Sequence, residues 1–589
     1  MRCLVLLTSV ILSATALAQS NAVPTLRTDV RLTTVDVIVT DKKGVPVHGL
    51  KADDFSVREN KQPQAIRNFE EHAGNAPTTY DRPRPGVFTN ATVARGGANN
   101  VLLIDFLNTP PELQAFMRDQ LAKFVISQPA GAHTAIFTMN SSVHLLQDFT
   151  TDPEILKMAL KHMGTKFSAF TGQIQTGPDM QMQAMEGLYE GSTAALQAQI
   201  GQVMQSLSDF TAKEQAFLQR NQALLTMSCL RDVARYLSGV PGRKNVMWLS
   251  TSFPVYIQQD PESNGKPFQV NEVLDAEMRQ TKNALASSQI ALYPVDPSGT
   301  PVPPSFQVSN DSSSTSLAAQ QRMYGSSSFT PQNKAADNAL FQRHSSMNEL
   351  ADATGGKAFY NGNDIAGALR DAQADGSQFY TLTYTPPLNA KPGQFRNVEI
   401  NVQGKGLRVR YRKGYYTSEA TTNGLADLNS KKTSFSMQAM APQSSEVLFQ
   451  LEVSKPSGET NAAKIIGAPI FEALPHGMYQ LNALVDFSTL QFSPDADGKM
   501  HGVVDVATVI YDKNGKVLDS RSDRATLALD DARYQAMLKS GMRYHQVVAL
   551  PDKGDGYVRV AVHDAMTDKL GTVQVSMSSV RESAAKTKQ

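Results

Sequence analysis

The chain has 589 residues, and its 56 Lys and Arg against 55 Asp and Glu leave no large field to attract nucleic acid or anionic lipid. Hydrophobic residues make up 41%, enough for ordinary cores, and the length predicts roughly three or four domains. Of its two cysteines, Cys3 lies in an N-terminal leader and Cys229 in an apolar helical stretch. The remaining chain therefore has no intramolecular disulfide, a pattern that suits a bacterial envelope better than an animal matrix.

The leader spans residues 1–18. Arg2 gives it a basic start, Leu4 to Leu12 an apolar run, and Ala16-Leu17-Ala18 a small-x-small cleavage site. That layout predicts a signal peptide cut after Ala18, and export to the periplasm or the exterior. A membrane anchor would need about twenty apolar residues, which this run lacks.

Residues 26–72 read as β structure: Val35, Val37 and Val39 sit at alternate positions, and Asp41-Lys42-Lys43-Gly44 and Glu59-Asn60-Lys61 supply turns. Residues 73–98, rich in Pro, Gly, Asn and Thr, read as a linker. The next unit, 99–416, changes character. Val101-Leu102-Leu103-Ile104 is an unbroken apolar run ending at Asp105, as a strand buried on both faces would be. Ala135-Ile136-Phe137, Val143 to Leu146, Val246-Met247-Trp248-Leu249 and Ile290 to Val295 are further strands. Helical periods starting at Pro111, at Pro153 and around Leu230 fall between them. This alternation predicts a parallel sheet with helices on both faces.

Two insertions interrupt that unit. The first, 165–228, is Met-, Gln- and Ala-rich in its second part and reads as one or two extra helices; the second, 300–340, is polar and Pro-containing and reads as an extended loop. Leu350 to Gly356 reads as a helix ending in a glycine cap. Alternating strands at Tyr380–Tyr384, Val398–Val402 and Leu407–Tyr411 close the unit. A linker, 417–442, precedes a β-rich region, 443–580, of about seven strands with an Asn514-Gly515 hairpin, the count of an immunoglobulin-like sandwich.

Enzyme signatures are missing: there is no His-Glu-x-x-His, Gly-x-Ser-x-Gly, phosphate loop or dinucleotide fingerprint, and the ten histidines lack metal-ligand spacing. In an open parallel sheet, ligands bind beyond the carboxyl ends of the strands. Asp105 and Asp296 mark two such ends, and Asp296, before Pro297-Ser298-Gly299, reads as a turn former. Asp53-Asp54 reads as solvated, and the Arg408-Arg410-Arg412-Lys413 run as a protected strand edge.

Leu103-Ile104-Asp105-Phe106-Leu107-Asn108-Thr109 resembles the first strand and metal loop of a von Willebrand factor type A domain, whose pattern is Asp-x-Ser-x-Ser. With Val35 to Gly44, Leu50 to Phe55 and Arg408 to Tyr416, the order of motifs over about 26–416 is similar to the VWFA-related proteins first catalogued in acidobacteria. The resemblance implies a Rossmann-like α/β domain flanked by a small N-terminal β segment and a C-terminal immunoglobulin-like β-sandwich. It also implies a Mg²⁺ site at Asp105 and Thr109. Leu107 replaces the first Ser, Ser250-Thr251-Ser252 brings no distal carboxylate, and the loop Thr aligns with Thr165. Two readings stay open: a weak Mg²⁺ site, or a degenerate one in which Asp105 caps Thr109 or the next helix.

The expectation is an exported, non-enzymatic adhesion module that binds a protein through Asp105, Asn108, Thr109, Thr251 and Ser252, with no nucleic acid and no membrane span. The alternatives are an envelope scaffold and, behind it, a hydrolase with a site assembled from distant residues.

Overall fold

The computed structural model describes residues 33–72, 86–91, 98–163, 193–251, 272–300, 329–387, 391, 393–417, 431–439, 441–456, 466, 475–495 and 498–586. The leader expected at 1–18, Thr165, Ser252 and much of both insertions lie outside them.

The apolar run at Val101 becomes the strand Asn99–Asp105, central in a five-stranded sheet. Across the sheet run Ile290–Val295, Lys244–Leu249, Asn99–Asp105, Thr134–Met139 and Val143–Thr150. The first four are parallel, and the last returns antiparallel at the edge. Strand side chains alternate between two cores. Leu102 and Ile104 pack with the helices Pro111–Ile126, Pro153–His162 and Ile365–Gly376 through Leu121, Leu156 and Leu369. Val101, Leu103 and Trp248 pack on the opposite side with Ala194–Leu237, Glu272–Ser287 and Phe329–Thr354 through Leu230, Leu285 and Leu350. The expected parallel-sheet architecture, mixed at one edge, is the one found.

Local signals held where they were specific. Asp152 caps the helix that opens with Pro153 by accepting from the Glu154 amide. The helix ending at Thr354 stops at Gly355 (φ 75°), with the Gly355 and Gly356 amides bonded back to Asp352 and Ala351. Among its described residues the first insertion contributes the 44-residue helix Ala194–Leu237, which also absorbs the helix read around Leu230.

The strands expected to close the α/β unit belong elsewhere. Phe379–Tyr384 and Arg408–Arg410 flank Thr33–Thr40 in one sheet, and Phe395–Val402 pairs with Phe55–Glu59 in another. These two four-stranded sheets share a core of Val35, Val37, Phe55, Val57, Leu382, Tyr384 and Ile400. The N-terminal β segment is thus half of a sandwich completed by residues 379–416, and the α/β domain is inserted between its halves. About forty-five residues are too few to bury a core alone, so the segment takes the strands that follow the insertion. Of the basic run at 408–413, Arg408 and Arg410 lie on the edge strand, while Arg412 beyond it is a joint, donating to Thr34 O (2.7 Å) and Ala286 O (3.2 Å).

A second pair of sheets forms the C-terminal region. One holds Met542–Pro551, His476–Val485, Phe449–Ser454 and Val87–Thr89; the other holds Ser493–Pro494, Met500–Asp512, Val517–Leu529, Gly556–Asp564 and Lys569–Ser576. Among the described residues these two sheets hold nine strands, where the pattern gave about seven for 443–580. One of them, Val87–Thr89, comes from the stretch read as linker 73–98. Beside it, buried Asn90 bonds Ser444 O, Val447 O and the Phe449 amide. The linker 417–442 likewise contains a short helix, Lys431–Ser436. The turns at Asp41 and Asp512 share one geometry: each carboxylate accepts the amides two and four residues on, and Gly44 and Gly515 take φ of 85° and 82°.

Candidate functional site at the strand-end crest

Asp105 closes the central strand on the face shared with Leu103, toward the 44-residue helix, and is fully buried. Its Oδ1 accepts the Asn108 backbone amide at 2.9 Å. Its Oδ2 accepts Asn108 Nδ2 at 2.6 Å and the Trp248 indole N–H at 3.1 Å. Trp248, on the neighbouring strand in register with Leu103, is equally buried. Burial pushes the Asp105 carboxyl up to about 6, although hydrogen bonds from Asn108, Ser250 and Trp248 work the other way. Neutral donors soften desolvation here without cancelling it.

The network continues outward. Asn108 Nδ2 also donates to Thr226 Oγ1 of the long helix at 3.0 Å, and Gln222 Nε2, one turn away, donates to Leu107 O at 3.4 Å. Thr251 Oγ1 donates to Asn108 O at 2.6 Å. Arg343 Nη1 reaches Thr251 O at 3.2 Å, and its Nε lies 3.3 Å from Asp296 Oδ2. Asp296 Oδ1 accepts the Ser298 amide, the turn its sequence predicted. The two strand-end carboxylates are therefore linked through Asn108, Thr251 and Arg343.

Of the residues singled out by sequence, Asp105, Asn108, Thr109 and Thr251 come together, while Ser252 lies outside the described residues. Asp105, Asn108 and Thr109 are 0–3% exposed, so their side chains form the floor of the crest and offer no contact surface to a partner. Sequence reading passed over Trp248, Thr226 and Gln222. Trp248 is the chain's one tryptophan and sits in a core strand beside the acid, which was the available signal.

The residues present do not fit a divalent cation. Mg²⁺ needs near-octahedral oxygen ligands, yet both Asp105 oxygens already accept N–H donors and Leu107 offers only carbon. Thr109 Oγ1, buried without a hydrogen-bond partner, is the one hydroxyl left over. No group of three or more metal-ligating side chains occurs among the described residues. Cys229, on the same helix as Thr226, is buried, and desolvation with nearby Asp232 and Asp105 pushes its thiol up to about 12, consistent with an inert core residue.

Beyond the crest the long helix has a different character. No described side chain from Thr193 to Gln222 is buried, and burial begins at Ala223. Leu196, Val203, Phe210 and Phe217, seven residues apart, are 48%, 50%, 65% and 62% exposed. Residues 194–208 contain no Asp, Glu, Lys or Arg.

No family model and no curated protein matches the chain. Among solved structures it is similar to an aerotolerance-related membrane protein from Bacteroides fragilis, at 10% identity over 47% of this chain and 98% of that one (TM-score 0.21). A von Willebrand factor type A protein from Catenulispora acidiphila gives 10% identity over 62% and 74% (TM-score 0.23). The pilus adhesin SpaC from Lactobacillus rhamnosus GG gives 8% over 87% and 57% (TM-score 0.22). The chain is a mixed α/β protein with additional antiparallel sheets, and that class follows from the strand order described above.

Proposed function

We propose that the chain is an exported, non-enzymatic binding protein whose von Willebrand factor A-type domain presents a helical arm, rising from the strand-end crest, to a protein partner. The supporting observation is the heptad-spaced stripe Leu196-Val203-Phe210-Phe217. Large apolar side chains in a row, each about half exposed or more, are uncommon on a monomer and mark a contact surface. An amphipathic helix recognises its groove through such i, i+7 anchors. With no charge over 194–208, the matching occupant is an apolar, weakly charged helix of a protein partner. The partner face thus moves from the crest floor, where sequence placed it, to the arm above it.

Phe210→Ser/Phe217→Ser tests the reading. Immobilised wild-type and variant protein are exposed to envelope extract, with light scattering run in parallel on each. Proteins captured by wild type and lost by the folded variant support the arm. Capture of the same set by both overturns it, and a wild-type dimer that the variant abolishes would make the occupant a second copy. Capture unaffected by arm changes but lost on disturbing the 443–580 region would favour the scaffold alternative.

A further inference from the structure

We infer that the crest has become a metal-independent latch: Asp105, held by Trp248, fixes Asn108, and Asn108 bolts the long helix to the end of the sheet through Thr226. Three features of the geometry carry this. First, donors occupy the oxygens a cation would need, the Trp248 N–H and Asn108 Nδ2 on Oδ2 and the Asn108 amide on Oδ1. Second, Asn108 faces two ways, donating to Asp105 at 2.6 Å and to Thr226 Oγ1 at 3.0 Å. The helix is thereby tied to the acid, with the Gln222–Leu107 bond as a second tie one turn earlier. Third, the ties fall where the helix changes from exposed to buried, at Gln222 to Met227. Trp248 and Asn108 are positioning residues in this arrangement. A cation would draw Asp105 away from Asn108 and loosen the helix, so the latch and a metal site exclude each other.

The sole tryptophan lets the intact protein report on this directly. After treatment with chelator, Trp248 emission is followed while Mn²⁺, a paramagnetic quencher, is added to millimolar concentration. The expected result is emission indifferent to both chelator and Mn²⁺. Saturable quenching that disappears in Asp105→Asn would establish a cation site and overturn the proposal. Independently, Asn108→Ala is expected to speed amide exchange across residues 217–230 by about tenfold, with the strand Lys244–Leu249 unchanged. Unchanged exchange in 217–230 would overturn the latch, and faster exchange there, confined to that segment, would support it. Neither measurement depends on whether the arm binds a partner.

Discussion

Two buried aspartates, one in each half of the molecule, meet desolvation in opposite ways. Asp105 of the α/β domain has only neutral donors around it and is pushed up to about 6. At Asp505 of the C-terminal region burial acts in the same direction, yet Arg524 and His563 outweigh it and hold the carboxyl below its usual range. Arg524 is bidentate, at 2.6 and 2.8 Å, and His563 Nδ1 lies 3.2 Å away. His563 is raised in turn: burial opposes its protonation, but hydrogen bonds to Asp568 and Asp505 prevail. The Asp505 pair is built as an ion pair that fixes a sheet face. The Asp105 cluster joins elements at a site that carries no compensating cation.

The largest expected effect breaks the ion-paired side. Asp505→Ala leaves His563 and Arg524 without their shared carboxylate and should cost about 3–5 kcal/mol, read as a lower urea midpoint for the C-terminal transition. A change under about 1 kcal/mol would place that cluster among surface pairs of little consequence.

The pH response should separate the two clusters. Asp105 binds its proton more tightly folded (about 6) than at a carboxyl's ordinary value of 3.8. Asp105 should therefore add stability to the α/β domain as pH falls from about 6 toward 4, on the order of 3 kcal/mol, with Asp148, which burial also raises, acting in the same direction. Asp505, being depressed, contributes stability above the unfolded carboxylate range and loses it as pH falls through its own lowered value. His563, being raised, contributes below about 6.5 and loses that contribution as pH rises through its folded value. Domain-resolved melts between about pH 2 and 8 cover the low-pH loss from Asp505 as well as the contributions of Asp105 and His563, and a pH-flat α/β transition would contradict the burial of Asp105.

Asp105→Asn should remove Asp105's share of the α/β domain's pH dependence, leaving that of Asp148, which burial also pushes up to about 6. It should also cost about 1–3 kcal/mol, because an amide NH₂ would face N–H donors. Trp248→Phe, which deletes one donor and little volume, should cost about 1–2 kcal/mol. Smallest of all, Phe210→Ser/Phe217→Ser should alter stability by no more than about 0.5 kcal/mol. A larger loss on thermal melting would mean that the stripe packs against the protein's own fold.

Sequence patterns located the central sheet because continuous apolar runs such as Val101–Ile104 have few other uses, and Asp105 followed from its place at the end of one. Sequence did not disclose that Phe379–Tyr384 pairs with Thr33–Thr40. Alternation marks a strand as half-buried but is silent about which sheet receives it. Val87–Thr89 was too short to signal against its Pro- and Gly-rich surroundings. At the crest, the acid was legible and its partners were not. Thr226 and Gln222 read as ordinary helix residues, and only the packing of that helix over the crest gives them a role.

The insertion of the α/β domain within the N-terminal sandwich sets an order of assembly. Thr34 and Thr383 are cross-strand neighbours 349 positions apart, so the strand Thr33–Thr40 is synthesised long before its neighbours. Until residue 416 has emerged, the edges of the strands around Val35 and Val57 stay open to pairing with other chains. The α/β domain, whose strands are contiguous in sequence, can form during that wait and bring the two halves together. Truncation between 376 and 416 is expected to spare the α/β core while leaving those early strands adhesive, which would appear as aggregation of an otherwise folded product.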